Sequence, residues 1–234
     1  MDESHSKSKD SVLVTGATGT IGSAVLQELH DRDLQAVAVA REGSSLRVPV
    51  VTGDFSRPDS PDQILDTLTE LDRTFTGVIL CAGVDSYISG KNFDSETCHR
   101  ALRINTISQL SLVMSMLRRQ LICPDEVFQV SLASTTLLSD PVSSGLVYGL
   151  TKSALEAGFR FAVEDFPDRL AVRAVRLPFV GTRMQTVIGD PPSPEALPDE
   201  PVISPDQAAT YLCDPFYETV DPEPGSWQIV EASE

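Results

Sequence analysis

The sequence predicts a single α/β domain built on a doubly wound parallel sheet. Short apolar runs alternate along the chain with longer amphipathic stretches. Continuous apolar strands separated by helices are typical of parallel sheets that are covered on both faces. Because crossovers between parallel strands are right-handed, such a chain places helices on both sides of its sheet. The 234 residues suffice for one domain with its own hydrophobic core.

The predicted elements follow one another from residue 11 to residue 231. The strand candidates are SVLVTG, QAVAVA, VPVVTGD, GVILCAG, VFQVSLAS, LAVRAVRLP and SWQIVE. The helix candidates lie near residues 21–31, 61–72, 95–120, 147–165 and 205–213. Residues 1–10 are polar and are predicted to be a disordered tail, so that residues 11–234 form the domain.

A proline-rich stretch follows the sixth strand candidate. Residues 183–204 contain five prolines, which exclude a long regular element. The carboxyl end of a parallel strand faces the ligand crevice, so this stretch is predicted to be a lid. A mobile surface loop is an equally good interpretation.

Charge and cysteine content exclude several classes of partner. The net charge of −16 disfavours nucleic acid and anionic membrane surfaces as partners. No apolar run could span a bilayer, and the amino terminus lacks the apolar core of a secretory signal, so we expect a cytoplasmic protein. The four scattered cysteines show no metal-ligand spacing, which predicts free thiols and no metal.

The segment VTGATGTIG, at residues 14–22, predicts a phosphate-binding turn. It lies between a strand candidate and a helix candidate, which is the context that such a turn requires. Glycines permit a sharp turn and let backbone N–H groups approach a pyrophosphate at the helix N-terminus. The residues predicted to contact a dinucleotide here are Gly16, Thr18, Gly19, Thr20, Ile21 and Gly22.

The end of the second strand candidate indicates which dinucleotide is preferred. An acidic residue at this point would bind the ribose 2′-hydroxyl of NAD(H), but Ala40 stands there and Arg41 follows it. A cation without a carboxylate suits a 2′-phosphate, so NADP(H) is favoured over NAD(H). The alternative is a solvated arginine on a loop.

Two Tyr–Lys pairs have the four-residue spacing that places both side chains on one face of a helix. Tyr87 and Lys91 enclose a glycine in a loop-like segment and are assigned no chemistry. Tyr148 and Lys152 lead directly into an amphipathic helix, and Ser134 lies fourteen residues before the tyrosine. The second pair is therefore the candidate for catalysis.

Taken in order, these motifs resemble the short-chain dehydrogenase/reductase family. The resemblance covers roughly residues 11–184 and rests on TGATGTIG, GDFS, LCAG, RINT, VSLAS, YGLTK and LPFVGT. It implies a Rossmann fold, a nicotinamide cofactor, and a Ser–Tyr–Lys site supported by an asparagine. It also implies a homodimer or homotetramer.

The resemblance assigns roles that agree with elementary chemistry. Tyr148 would be the general acid in carbonyl reduction, and Lys152 would lower its pKa and bind the nicotinamide ribose. Ser134 would hold the substrate oxygen and its developing charge. Asn105 would link the lysine to solvent through a water. Further cofactor contacts implied by the matching motifs involve Tyr148 itself, together with Asp54, Phe55, Ala82, Gly83, Val180 and Thr182.

Three departures from the family pattern indicate a divergent member. Cys81 stands where an asparagine is usual, Ser131 stands where an asparagine is common, and Phe179 replaces the glycine that normally follows the proline. None of these removes a catalytic group.

The favoured function is an NADPH-dependent ketoreductase that interconverts a carbonyl and a secondary alcohol on a small molecule, with secondary metabolism as one setting. The three-residue glycine spacing keeps a sugar-nucleotide epimerase or dehydratase as an alternative, although only about fifty residues follow LPFVGT. A non-catalytic dinucleotide sensor is the third hypothesis. Leu137, Leu138, Val142 and Phe179 indicate an apolar substrate pocket or, equally, loop packing.

Overall fold

The computed structural model describes residues 10–41, 44–71, 73–84, 86, 88, 90–141, 145–180, 203–217 and 222–233. The sheet and helices below are those of these residues. The predicted amino-terminal tail lies outside them, except that Asp10 already belongs to the first strand. Residues 183–202 of the predicted lid also lie outside the described residues.

The described residues form one sheet of seven strands, and every pairing in it is parallel. The strands are β1 Asp10–Thr15, β2 Ala36–Ala40, β3 Val50–Thr52, β4 Thr74–Leu80, β5 Phe128–Thr135, β6 Leu170–Leu177 and β7 Trp227–Glu231. Their order in the sheet is β3-β2-β1-β4-β5-β6-β7, so the direction of winding reverses between β1 and β4. A ligand crevice is expected at this reversal, beyond the carboxyl ends of the strands.

Helices cover both faces of the sheet, as the apolar strands require. The helices are α1 Thr20–Asp31, α2 Ser60–Glu70, α3 Ser95–Leu102, α4 Ser108–Arg118, α5 Leu146–Asp165 and α6 Pro205–Cys213. On one face α1 packs against α6, and the two bury Val25, Leu29 and Leu212. On the other face α2, α4 and α5 bury Ile64, Leu112 and Phe159 among others. The predicted doubly wound α/β fold is thereby confirmed.

The predicted single helix over residues 95–120 is wrong in one respect. A π-helical turn, Arg103–Ile107, separates α3 from α4. π-Helical turns are rare in proteins, and those that occur are often found at functional sites. Asn105 lies within it, and its side chain is bonded to groups on neighbouring elements instead of facing solvent. The π turn therefore coincides with buried hydrogen bonds of Asn105, which the periodicity of the sequence does not reveal.

The last two residues of the predicted lid belong to regular structure. Ile203 is buried and forms a parallel bridge with Val180. Ser204 caps α6, where its hydroxyl accepts a hydrogen bond from the backbone N–H of Gln207 and the Gln207 side chain accepts from the Ser204 N–H.

No helix of the described part of the chain combines the length and apolarity needed to cross a membrane. Likewise, the described residues contain no group of three or more His, Cys, Asp or Glu side chains placed to hold a metal ion.

Candidate active site

A cavity of about 680 Å³ opens where the winding of the sheet reverses. It extends from the turn between β1 and α1 to the ends of β2, β3 and β4, and we call this region the dinucleotide half of the crevice. The predicted cofactor-binding residues that line it are Gly16, Thr18, Gly19, Thr20, Ile21, Gly22, Arg41, Asp54, Phe55, Ala82 and Gly83.

The turn after β1 needs glycine at two positions. Gly16 has a φ of +63°, and a Cβ there would lie 2.6 Å from the backbone nitrogen of Ala82. A Cβ on Gly22 would overlap the carbonyl oxygen of Gly16, so the helix could not pack against the turn. Gly19 closes the turn by donating its N–H to the same carbonyl at 2.9 Å, and α1 begins at the next residue. The result is a helix N-terminus at the wall of the cavity, which fits a pyrophosphate.

Charged groups gather at the end of the cavity beyond β2 and β3. Burial raises the pKa of Asp54, but hydrogen bonds from Ser56 and the nearby charges of Arg41 and Arg57 outweigh it and hold the pKa below its usual value. Arg41 is exposed and lines the cavity. Arg100, on α3, lines it too, and no motif in the sequence indicated its position.

The predicted Tyr–Lys pair lies on the first two turns of α5, beside the end of β5. The Lys152 ammonium is 5.7 Å from the centroid of the Tyr148 ring, and both residues are buried. Lys152 Nζ donates a hydrogen bond to the carbonyl oxygen of Ala133 at 2.8 Å. Burial lowers the pKa of Lys152 to about 8, against the opposing effects of Cys81 and Glu156. We call this region, with Ser134, the catalytic half of the crevice, after the role that the sequence predicts for it.

Ser134, the last residue but one of β5, is held by a group that the motifs did not predict. Its hydroxyl donates to Oε1 of Glu156 at 2.5 Å, and Glu156 is paired with Arg176 of β6 at 2.8 Å. Glu156 follows Lys152 by four residues, so helical spacing already placed both on one face of α5. Arg176 could not be placed from the sequence because its contact depends on the pairing of β5 with β6.

Asn105 connects the π turn to the loop after β4 and to α5. Its Oδ1 accepts from the Val84 N–H at 2.8 Å, and its Nδ2 donates to the Val84 carbonyl and to Thr151 Oγ1, both at 3.0 Å. Both side-chain atoms are thus engaged by protein groups. A Cβ on Gly83 would lie 3.5 Å from Asn105 Oδ1 and 3.8 Å from Lys152 Nζ, which shows how closely these groups approach.

Cys81 and Ser131, the two residues that replace the family's asparagines, are both uncharged. Burial raises the pKa of the Cys81 thiol to about 12, and the Lys152 charge opposes this. Cys81 lines the cavity. The Ser131 hydroxyl is buried without a hydrogen-bond partner among the described residues.

The remaining predicted positions are less informative. Val180 is buried and bridges Ile203, but it does not line the dinucleotide half. Thr182, Val142 and Tyr87 lie outside the described residues. Lys91, the partner of Tyr87 in the discounted pair, is exposed in a 3₁₀ turn, Gly90–Asn92.

These features define an α/β protein of the dinucleotide-binding class: a parallel sheet, a glycine turn at the reversal of winding, and a polar cluster next to it. The family model described as short chain dehydrogenase matches residues 10–192. The chain therefore belongs to the short-chain dehydrogenase/reductase family of oxidoreductases, as the sequence motifs predicted.

Solved structures agree with this fold over nearly the whole chain. Aldohexose dehydrogenase from Thermoplasma acidophilum shares 15% identity, with a TM-score of 0.74, over 96% of this chain and 94% of its own. A short-chain dehydrogenase from Burkholderia cenocepacia, solved in complex with NADP, shares 16% identity with a TM-score of 0.76, over 96% and 97% of the two chains. A short-chain dehydrogenase/reductase from Saccharomyces cerevisiae shares 20% identity with a TM-score of 0.76, over 96% of each chain. At these identities the likeness shows the fold.

A curated protein also resembles part of the chain. Monoglucosyldiacylglycerol epimerase from Synechocystis sp. is 30% identical over 109 residues. The match covers 44% of this chain but only 25% of the epimerase.

Proposed function

We propose that the protein is an NADP(H)-dependent oxidoreductase that interconverts a carbonyl and a secondary alcohol on a small molecule, most simply as a ketoreductase. The observation that carries the proposal is the position of the buried Tyr148–Lys152 pair: the Lys152 ammonium bonds the carbonyl of Ala133, next to Ser134, and lies beside Gly83, which lines the dinucleotide half. When bound, the nicotinamide supplies or accepts the hydride. The protein's own groups then have to orient the substrate oxygen and move one proton.

Tyr148 Oη is the proposed proton donor in reduction and the proton acceptor in oxidation. A tyrosine with a pKa of about 10 holds its proton too tightly to serve as a base near neutrality. The Lys152 charge, 5.7 Å from the ring centroid in a buried site, favours the phenolate and so lowers this barrier. Ser134 contacts the substrate oxygen, and Asn105 maintains the loop and helix geometry around Lys152.

NADP(H) is the proposed cofactor, with NAD(H) as the less favoured one. Arg41 lines the cavity beyond β2, where a 2′-phosphate would lie, and Arg100 adds a second positive charge to the same cavity. The Burkholderia cenocepacia relative was solved with NADP. Val180 and Thr182 remain the proposed contacts of the nicotinamide side.

The test is consumption of NADPH and of NADH across a panel of aldehydes and ketones, with the reverse reaction on the matching alcohols. Tyr148→Phe should lower turnover by about 10²–10⁴-fold while NADPH affinity stays the same. Tyr211→Phe is the matched control, because among the described residues that hydroxyl bonds the backbone of Ser233 on the surface. Full turnover in the Tyr148→Phe protein would refute the mechanism.

An epimerase acting on a sugar nucleotide or sugar lipid is the second candidate, because of the partial likeness to monoglucosyldiacylglycerol epimerase. Such a reaction leaves no net change in NADPH. Conversion of a UDP-sugar or a glucosyl lipid without net cofactor consumption would favour it. Tight NADPH binding with no turnover in either assay would instead favour a dinucleotide sensor.

The proposed setting is a cytoplasmic homodimer or homotetramer without nucleic-acid or membrane partners. Ile107, Leu146, Leu150 and Phe161 expose large apolar side chains along the π turn and α5, which suits a subunit interface. Light scattering coupled to size-exclusion chromatography tests the assembly, and a monomer at micromolar concentration would contradict it.

A further inference from the structure

The helix that crosses the middle of the crevice turns polar side chains inward. Residues 105–109 run from the π turn into α4, and we call them the polar segment. Ile107 is exposed, but the other four residues are polar and only 0% to 4% exposed: Asn105, Thr106, Ser108 and Gln109. The inward face of a helix is normally apolar, and a buried polar group is costly unless it is hydrogen-bonded. The partners of these four side chains therefore show what the segment does.

Asn105 and Thr106 hold the helix that carries the catalytic half. Asn105 Nδ2 donates to the hydroxyl of Thr151 at 3.0 Å, and Thr106 Oγ1 donates to its carbonyl oxygen at 2.8 Å. Thr151 lies between Tyr148 and Lys152 on α5, and its hydroxyl donates to the Tyr148 carbonyl at 2.8 Å. The first part of the polar segment is thus bonded to the backbone of the Tyr–Lys pair.

Ser108 and Gln109 are directed at the dinucleotide half instead. Ser108 Oγ donates to the carbonyl oxygen of Phe55 at 3.0 Å. Gln109 Nε2 lies 3.0 Å from the carbonyl oxygen of Ala82 and 2.9 Å from that of Asn105. Phe55 belongs to the loop after β3 and Ala82 to the loop after β4, and both line the cavity. Two adjacent side chains therefore hold two separate loops of the cavity wall.

The surroundings of Gln109 fix which way its amide faces. The carbonyl oxygen of Ile104 lies 3.4 Å from Nε2, in addition to those of Ala82 and Asn105. Carbonyl oxygens only accept hydrogen bonds, so the NH₂ end has to face all three. Gln109 Oε1 is left buried without a hydrogen-bond partner among the described residues, which costs free energy that an apolar side chain of the same size would not. The contacts of the nitrogen are therefore what a glutamine supplies at this position.

The Ala82 peptide lies between Gln109 and the glycine turn. Its N–H donates to Thr15 Oγ1, at the end of β1, at 3.2 Å. A Cβ on Gly16 would lie 2.6 Å from the same nitrogen, so the loop after β4 is packed directly against the turn. A shift of Ala82 would consequently disturb the turn that is proposed to bind the pyrophosphate.

We propose that Ser108 and Gln109 are positioning residues for the cofactor, whose side chains hold the Phe55 and Ala82 loops at the separation that the adenosine part of the dinucleotide requires. The inference rests on the proposed function, in which the dinucleotide half binds a nicotinamide dinucleotide. It gives the polar segment two tasks, one toward α5 and the other toward the cofactor loops.

Nucleotides that lack the nicotinamide test the dinucleotide half alone. Adenosine 2′,5′-bisphosphate carries the adenosine part of NADP(H), and ADP carries that of NAD(H). For whichever of the two binds the wild type more tightly, Gln109→Met should weaken binding by about tenfold and Ser108→Ala by about threefold, because the first removes two hydrogen bonds and the second removes one. Titration calorimetry measures both dissociation constants. Methionine is close to glutamine in size, so the first variant leaves no cavity.

Thr106→Val is the matched control. It removes a hydrogen bond of the same kind from a similarly buried residue of the polar segment, but one that is directed at α5. It should bind the nucleotide as tightly as the wild type. A role in stability alone would lower the thermal unfolding temperature of all three variants and leave nucleotide affinity unmoved in each. Ser108→Ala removes a single oxygen and decides the point even if Gln109→Met does not fold.

The outcomes separate the inference from the function on which it rests. Wild-type affinity in Ser108→Ala or in Gln109→Met, or an equal loss of affinity in Thr106→Val, would overturn the proposal. A wild-type chain that binds neither nucleotide refutes cofactor binding, and the positioning role with it. A chain that shows the expected affinities but turns over nothing in the carbonyl panel refutes the proposed carbonyl reduction, while the role of Ser108 and Gln109 stands.

Discussion

The dinucleotide half of the crevice and its catalytic half differ in which atoms form them. The first is an open cavity of about 680 Å³ with a turn at its edge that requires glycine at positions 16 and 22. The second consists of buried charged and polar side chains, Lys152, Glu156 and Ser134, that bond to one another or to the backbone. Under the proposed function, the first half would bind by shape and backbone N–H groups, and the second would act through the charges and hydrogen bonds of its side chains.

This difference predicts opposite responses to substitution. A change in the glycine turn should disturb both binding and packing, because the same backbone atoms serve both. A change in the catalytic half should remove chemistry while the fold keeps or even gains stability, because a buried charge is costly to desolvate.

The largest expected effect is that of Lys152→Met. Turnover should fall by about 10²–10⁴-fold, since the charge that favours the Tyr148 phenolate is gone. Thermal unfolding at pH 7 should show a gain of about 1–3 kcal/mol in the free energy of unfolding, because methionine fills the site without a buried charge. The stability difference between Lys152→Met and the wild type should shrink as pH rises from about 8 toward 10.5. Over that range the lysine is protonated in the unfolded chain and neutral in the folded chain, so the wild type becomes more stable.

Scanning calorimetry measures the free energy of unfolding, and titration with NADPH shows whether the cofactor still binds. Together they separate the loss of turnover from the change in stability. If Lys152→Met lowered the free energy of unfolding as well as turnover, the lysine would be a structural residue. A stability difference from wild type that stays constant between pH 7 and pH 10 would contradict the assignment of the shifted pKa to Lys152.

The next largest effect is that of Gly22→Ala in the dinucleotide half. The new Cβ would overlap the Gly16 carbonyl, so α1 has to move away from the turn. We expect a loss of about 1–3 kcal/mol of stability and a loss of about 100-fold in NADPH affinity. Gly149→Ala is the matched control, because a Cβ there meets nothing within 4 Å. Wild-type NADPH affinity in Gly22→Ala would show that the turn is not the binding element.

The sequence predicts the features of each half that depend on residues close together in the chain, and it misses those that depend on residues far apart in the chain. The turn at residues 14–22 and the Tyr148–Lys152 spacing are local, so the sequence predicts their place and their elements. Glu156 could be placed on the Lys152 face by helical spacing, but its partner Arg176 meets it only because β5 pairs with β6. The π turn around Asn105 also escaped prediction, because the bonds that accompany it join Asn105 to Val84 and Thr151, both distant in sequence.

A smaller effect is expected from Arg41→Ser, which tests the charge at the rim of the dinucleotide half. Loss of a charged hydrogen bond to a 2′-phosphate should weaken NADPH binding by about tenfold and leave NADH binding unchanged. Arg57→Gln is the comparison, because Arg57 is engaged by Asp59 at 3.0 Å. Equal losses for both dinucleotides would mean that Arg41 contacts a part common to the two.

The smallest expected effect is on the pH dependence of carbonyl reduction, and it reports the catalytic half alone. Because burial lowers the pKa of Lys152 to about 8, kcat should fall to about half near that pH as the ammonium loses its proton. The groups that face Lys152 are Tyr148 and Glu156 on α5 and Cys81 after β4, and the thiol, with a pKa of about 12, stays neutral there. Glu156→Gln removes an attraction for the ammonium and should shift the falling limb to lower pH, whereas Glu231→Gln, at the exposed end of β7, should leave it in place. A limb that stays in place in Glu156→Gln would assign the titration to a group other than Lys152, and the catalytic half would then not work through the buried charge.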